Sequence, residues 1–170
     1  LSVDVVSSEG ILVDNNYGRL EIDSDLEVTG TPAQPVLAGR LTIGEGGAVL
    51  SSSSQPSMMA IMLRQLQLKP GMNVLEIGAG TGYNAALIQH LVGDEGTVTS
   101  IEIDGIVAET ARANLQRVAK SEVLIVEGDG AHGYAPRASY DRIIATAGAW
   151  DVPEAWVRQL KPGGILVTPL

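Results

Sequence analysis

The 170-residue chain contains no cysteine and only two histidines, His90 and His132. Without cysteine there is no disulfide scaffold, no thiolate metal site and no cysteine nucleophile. Two histidines are few for a zinc enzyme, whose sites draw mainly on imidazole and thiolate. Positive charge is scarce as well: 11 lysines and arginines face 20 aspartates and glutamates, for a net charge of −9. That balance argues against nucleic acid as a partner, because a grip on the phosphate backbone needs clustered basic side chains. No run approaches the roughly 20 apolar residues of a membrane-spanning helix. The opening LSVDVVSSEG has neither an initiating methionine nor a signal-peptide pattern, and the chain reads as a fragment. What is abundant is apolar surface: 45% of residues are apolar and 18% charged, enough to bury a substantial core in one domain with a short appendage.

Two patterns meet near Leu50-Ser51. Residues 1–50 hold eight acids and two arginines, and their apolar residues alternate. In Arg19–Val28, Leu20, Ile22, Leu26 and Val28 share one face and the charges the other, as in an antiparallel strand with one wet face. Ser2–Val6, Ile11–Val13, Val36–Ile43 and Ala48–Leu50 are further predicted strands, with turns at Asn15-Asn16, Gly30-Thr31-Pro32 and Gly44-Glu45-Gly46-Gly47. From Ser51 helices and strands alternate. Helices are predicted over Pro56–Leu66, Asn84–Val92, Ile106–Val118 and Glu154–Leu160. Strands are predicted over Asn73–Ile77, Thr97–Ile101, Val123–Val126, Asp141–Ala145 and Ile165–Thr168. Lys-Pro-Gly recurs at 69–71 and 161–163, each time between a helix and an apolar strand. Apolar strands separated by amphipathic helices imply a parallel sheet covered on both faces. The serine run 51–54 also suits a flexible linker.

The strongest motif is Val74-Leu75-Glu76-Ile77-Gly78-Ala79-Gly80-Thr81-Gly82-Tyr83, a strand entering a glycine turn that opens a helix. Glycines there permit a sharp turn and close backbone approach to a ligand, and the helix start offers unpaired N–H groups. At the end of the next strand, Glu102 suits two adjacent ribose hydroxyls, since a carboxylate accepts from both. After the third strand, Glu127-Gly128-Asp129-Gly130 places an acid beside flexible backbone, where an adenine amino group can be read. The segment Gly80–Ala85 also fits the dinucleotide pattern G-x-G-x-x-A, so a nicotinamide cofactor stays open at this point.

Residues 51–170 resemble the protein-L-isoaspartate O-methyltransferases, within the Rossmann-like methyltransferases that use S-adenosylmethionine. The matching stretches are Gln55-Pro56 with Ala60, Val74–Tyr83, Ile101-Glu102, Gly128-Asp129-Gly130, Asp141–Ala147 and Leu160–Pro169. Gly148-Ala149-Trp150-Asp151-Val152-Pro153 looks closer to relatives that modify ribosomal peptides, which methylate an ordinary aspartate. The resemblance implies an α/β domain of strand order 3-2-1-4-5 and S-adenosyl-L-methionine as cofactor. The implied activity is a carboxyl O-methyltransferase acting on isoaspartyl or aspartyl residues of proteins or peptides. It implies Ser54 at the reacting carboxylate and, with Ser53, beside the cofactor. It further implies Gly78, Ala79, Gly80 and Gly82 around the methionine end, Glu102 on the ribose, and Asp129 with Gly130 on the adenine. The family's histidines after the proline fall on Ser57 and Met59, and its closing antiparallel strands lie beyond Leu170, which suggests an impaired enzyme.

Residues 1–50 resemble a β-rich repeat of the envelope translocation-and-assembly-module B proteins, through Gly10–Leu20 and Asp25–Leu41, with Val28–Leu37 as the motif. The expected organisation is therefore a small antiparallel β segment, 1–50, before a methyltransferase domain, 51–170, joined as a chimera. A non-enzymatic envelope fragment carrying an inactive Rossmann domain is the alternative. Cofactor synthesis points to the cytoplasm and the N-terminal resemblance to the envelope. Ordinary packing accounts for the rest: Met58, Met59 and Met62 as core, Trp150 and Trp156 as packing or a pocket rim, His90 and His132 as surface residues.

Overall fold

The computed structural model describes the backbone of residues 11–15, 18–31, 34–45, 48–52 and 56–169, and the side chains of 57–169. The chain forms two compact units, Leu1–Ile61 and Met62–Leu170.

The first unit holds an antiparallel sheet of order β1-β2-β3-β4: β1 Ile11–Asn15, β2 Gly18–Thr31, β3 Gln34–Glu45 and β4 Ala48–Ser52. Its strands outrun their predicted bounds. Gly30 pairs with Pro35 and Gly44 with Val49, so these two of the glycines assigned to turns lie in strands. The register shifts between Ile43 and Gly44, which pair with Ser51 and Val49 and leave Leu50 of β4 as the extra residue of a bulge. The predicted strand Ser2–Val6 lies outside the described residues.

The second unit is a doubly wound α/β layer structure entered through helix α1, Pro56–Leu66. Its strands are β5 Asn73–Ile77, β6 Thr97–Glu102, β7 Leu124–Glu127, β8 Tyr140–Ala145 and β9 Leu160–Val167. All pair in parallel in the order β7-β6-β5-β8-β9, which is the expected 3-2-1-4-5. Helices α2 Tyr83–Val92, α3 Gly105–Arg117 and α4 Glu154–Gln159 complete it.

Strand periodicity sorts the core onto the two faces of this sheet. On one face Val74, Val98, Ile125 and Ile144 pack with Leu66, Ile88, Val92, Ala111 and Leu115. On the other, Leu75, Ile77, Ile101, Ile143 and Ala145 pack with Tyr140 and Trp156. Each fully buried valine, leucine or isoleucine among them contributes about 1.5–3 kcal/mol. Trp156 is therefore core, whereas Trp150 is fully exposed. Met59 and Met62 are buried as expected, but Met58 is 51% exposed, because it falls on the outer face of its helix.

Two local features differ from the sequence reading. Arg142, in an apolar strand, is 9% exposed and donates to the carbonyls of Leu66 and Gln67, so it caps the C-terminal end of α1. The second Lys-Pro-Gly is not a turn: β9 starts at Leu160 and runs through it. Tyr140 pairs with Leu160 and Arg142 with Ile165, so β9 bulges, with Gly163 at φ +78°. An edge strand tolerates a proline there because its missing N–H need not face a neighbour.

Candidate functional site

In a doubly wound sheet, ligands bind outside the carboxyl ends of the strands where the winding reverses. Here the chain leaves β5 toward β6 and β7, then returns to β8 on the far side of β5. The sequence-selected residues that the structure describes fall at that edge: Gly78–Gly82 after β5, Glu102 at the end of β6, and Asp129-Gly130 after β7.

The loop after β5 is held by main-chain bonds from below. Gly78 and Ala79 both donate N–H to the carbonyl of Ile101, at 2.8 and 3.0 Å. Thr146, just past β8, donates its N–H to the Ile77 carbonyl at 2.8 Å, and its hydroxyl lies 2.7 Å from the Gly78 carbonyl. Gly78 has φ +95°, and a methyl there would sit 3.0 Å from Ala147 Cβ. Both the backbone angle and the neighbouring loop therefore demand glycine. Gly82, at φ +81°, starts α2, and a methyl on it would lie 3.1 Å from the Ala111 carbonyl of α3. That glycine lets two helices close together, so its position also has a packing cause.

Glu102 ties the three strand ends together. Its Oε2 accepts the Gly80 N–H at 2.9 Å, its Oε1 accepts from Ile103 and Asp104, and its main-chain carbonyl accepts from Gly128 at 2.8 Å. Each carboxylate oxygen has two acceptor positions, so Oε2 retains one for an incoming hydroxyl. Asp104 caps α3 by accepting from Ile106 and Val107. Asp129 caps the short 3-10 turn Gly130–His132, accepting from Ala131 at 2.9 Å. A methyl at Gly130 would collide with Ile77 Cγ2, which brings this turn onto the end of β5. A methyl at Gly128 would meet nothing within 4 Å, so the approach to the site is open there.

A polar group under the glycine loop was not assigned from the sequence. Glu76 is fully buried in β5, accepting from Asn84 Nδ2 of α2 at 2.7 Å and from Ser100 Oγ of β6 at 2.6 Å. Burial pushes its carboxyl up to about 7, against the pull of those two donors, and the charge of Glu102 adds to the rise. The signal lay in the strand itself, Val74-Leu75-Glu76-Ile77, where one acid interrupts an apolar run. Asn84 Oδ1 is buried with no hydrogen-bond partner among the described residues. Ser53 and Ser54 lie outside the described residues. His90 and His132 are exposed.

Comparison with known proteins identifies the family. A family model described as protein-L-isoaspartate(D-aspartate) O-methyltransferase matches residues 33–170. A protein-L-isoaspartate O-methyltransferase of Pyrococcus horikoshii is 50% identical over 117 residues, covering 69% of this chain and 52% of that protein. One from Thermotoga maritima is 44% identical over 126 residues, covering 74% of this chain and 40% of that protein. A solved protein-L-isoaspartate O-methyltransferase structure superposes with a TM-score of 0.71 at 44% identity, over 74% of this chain and 39% of that one. The chain thus spans about half the length of the curated relatives it matches. The family match begins inside the stretch that resembles the envelope repeat, and the matches give that second resemblance, and a chimera, no support.

Proposed function

This chain belongs to the protein-L-isoaspartate(D-aspartate) O-methyltransferase family, and from that membership we propose that it is part of an S-adenosylmethionine-dependent carboxyl O-methyltransferase. Its acceptor would be an isoaspartyl or aspartyl side chain in a protein or peptide. The observation that carries the proposal is the Glu102 carboxylate, which braces Gly80 of the glycine loop while keeping an acceptor position free at the mouth of the site.

The cofactor fits the residues present. Gly78, Ala79, Gly80 and Gly82 form a loop whose backbone a small amino-acid moiety can approach. Glu102 would hold the ribose through the acceptor position left on Oε2, and Asp129 with Gly130 would hold the adenine. When bound, S-adenosylmethionine supplies an electrophilic methyl on a sulfonium. What remains for the protein is alignment and exclusion of water. An aspartate-type carboxyl has a pKa near 4, so the acceptor is ionised at neutral pH and needs no general base. Holding the two reactants in line accounts for roughly 7–11 kcal/mol in well-oriented systems. Ser54 is the residue we assign to orient the acceptor, with Ser53 beside the cofactor. The organisation that goes with this reading is an antiparallel segment, 1–50, before a methyltransferase part, 51–170. That division is supported by the change from antiparallel strands to helix–strand alternation at α1. No helix among the described residues is long and apolar enough to cross a membrane.

The test is transfer of labelled methyl groups to a matched pair of peptides, one isoaspartyl and one aspartyl. Base-labile label on the isoaspartyl peptide supports the family's acceptor. Label on the aspartyl peptide alone moves the assignment to ordinary aspartate, and label on neither refutes carboxyl methylation by this chain. Ser54→Ala should lower turnover at least about tenfold if Ser54 hydrogen-bonds the ionised acceptor. Unchanged turnover would remove that role.

A further inference from the structure

Helix α4 reaches across the sheet edge to hold the turn that bears Asp129. Trp156 is 2% exposed, and its indole N–H donates to the Gly130 carbonyl at 2.7 Å. One turn later Gln159, 9% exposed, makes two main-chain bonds to the same loop. Its Nε2 donates to the His132 carbonyl at 2.9 Å, and its Oε1 accepts the Tyr134 N–H at 2.8 Å. Tyr140 closes the loop from β8, donating its hydroxyl to the Tyr134 carbonyl at 2.7 Å.

The loop is also seated closely on two sides. A methyl on Gly130 would collide with Ile77 of β5, and one on Gly133 would sit 2.5 Å from Gln159 Oε1. The turn is thus pressed between β5 and α4. Within it Asp129 is free to point only where the turn allows, since its Oδ1 is engaged by the Ala131 N–H and Oδ2 lies 3.7 Å from His132 Nδ1. Four part-buried side-chain bonds, three of them from α4, thus converge on the five residues Gly130–Tyr134.

We propose that Trp156 and Gln159 are positioning residues for the adenine end of the cofactor, acting as a clamp that fixes where Asp129 and Gly130 sit. This rests on the assignment of Asp129 to the adenine. The clamp sets selectivity for the base: a carboxylate held in place accepts from an exocyclic amino group and repels the oxygen that replaces it in hypoxanthine.

The experiment titrates the whole chain calorimetrically with S-adenosylhomocysteine and with S-inosylhomocysteine, which carries oxygen in place of the amino group. It compares wild type with Trp156→Phe, Gln159→Met and Asp129→Ala. Phenylalanine keeps a buried ring and removes only the N–H; methionine keeps the length and removes both amide groups. Each should weaken S-adenosylhomocysteine about fivefold, the value of one hydrogen bond, and narrow the preference for it over the inosyl ligand. A core substitution on the opposite face, Ile88→Val, should lower Tm and leave that preference intact, which separates positioning from mere stability. If Trp156→Phe does not fold, Gln159→Met carries the test alone. Unchanged selectivity in the folded clamp variants, with selectivity lost in Asp129→Ala, overturns the clamp and leaves the site assignment standing. Unchanged affinity and selectivity in Asp129→Ala overturns the assignment and the clamp with it.

Discussion

Glu76 shows how a single residue reports on its surroundings. Its carboxyl is raised to about 7 because it is fully buried, so the folded protein holds a proton there that the unfolded chain releases near 4.5. Between those values the native state binds more protons than the unfolded one, and stability falls as pH rises through the window. The Tm of the wild type should therefore decline from pH 5 to 7.5 more steeply than that of Glu76→Gln, which has no charge to bury. Equal slopes in the two thermal scans would contradict the assignment. Glu102 is different, being half-buried and paired with main-chain donors. Glu102→Gln can still accept from Gly80, so its fold should survive. Its affinity for S-adenosylhomocysteine should drop at least about tenfold, the value of a hydrogen bond to a charged acceptor. Calorimetry reads the affinity and circular dichroism the fold.

At the scale of elements, the site depends on how the glycine loop and α3 are seated. Gly78→Ala must adopt φ +95° with its methyl 3.0 Å from Ala147 Cβ. Such a change costs at least about 1 kcal/mol and displaces the loop. Denaturant unfolding should show a lower midpoint, and ligand affinity should fall with it. Asp104→Ala removes only the cap of α3 and should cost about 0.5–2 kcal/mol. It should lower Tm while leaving S-adenosylhomocysteine affinity within about twofold, since the Asp104 carboxylate is occupied by the N–H groups of Ile106 and Val107.

The elements that sequence reading located best are those with strong periodicity: α2, α3 and the apolar strands β5, β6 and β8 lie within one or two residues of their predicted bounds. It misplaced features decided by partners distant in the chain. Lys161-Pro162-Gly163 looked like the turn at 69–71, but pairing with β8 draws it into an edge strand. Arg142 drew no assignment from the sequence, because its partners are the carbonyls at the end of α1, over 70 residues away. Trp156 gave no sequence signal of its link to Gly130, 26 residues away.

For the molecule as a whole, the parallel order β7-β6-β5-β8-β9 gathers groups scattered over residues 78–130 at one edge. That Gly78, Glu102 and Asp129 share this edge was legible because each stands at the end of a recognisable strand. The buried triad of Glu76, Asn84 and Ser100 was not, because nothing in the spacing of three polar residues tells which face of the sheet they share. The description of residues 1–50 as an envelope-type repeat rested on local motif likeness, and the family match across residues 33–50 weighs against it. The sheet edge at the ends of β5, β6 and β7 is the feature on which every functional statement turns. Calorimetric titration of the chain with S-adenosylhomocysteine, beside NAD under the same conditions, examines it directly. Saturable one-to-one binding of the former, lost in Glu102→Ala, is the expected result. Binding of NAD in its place, or no heat with either ligand from a folded sample, would contradict the account.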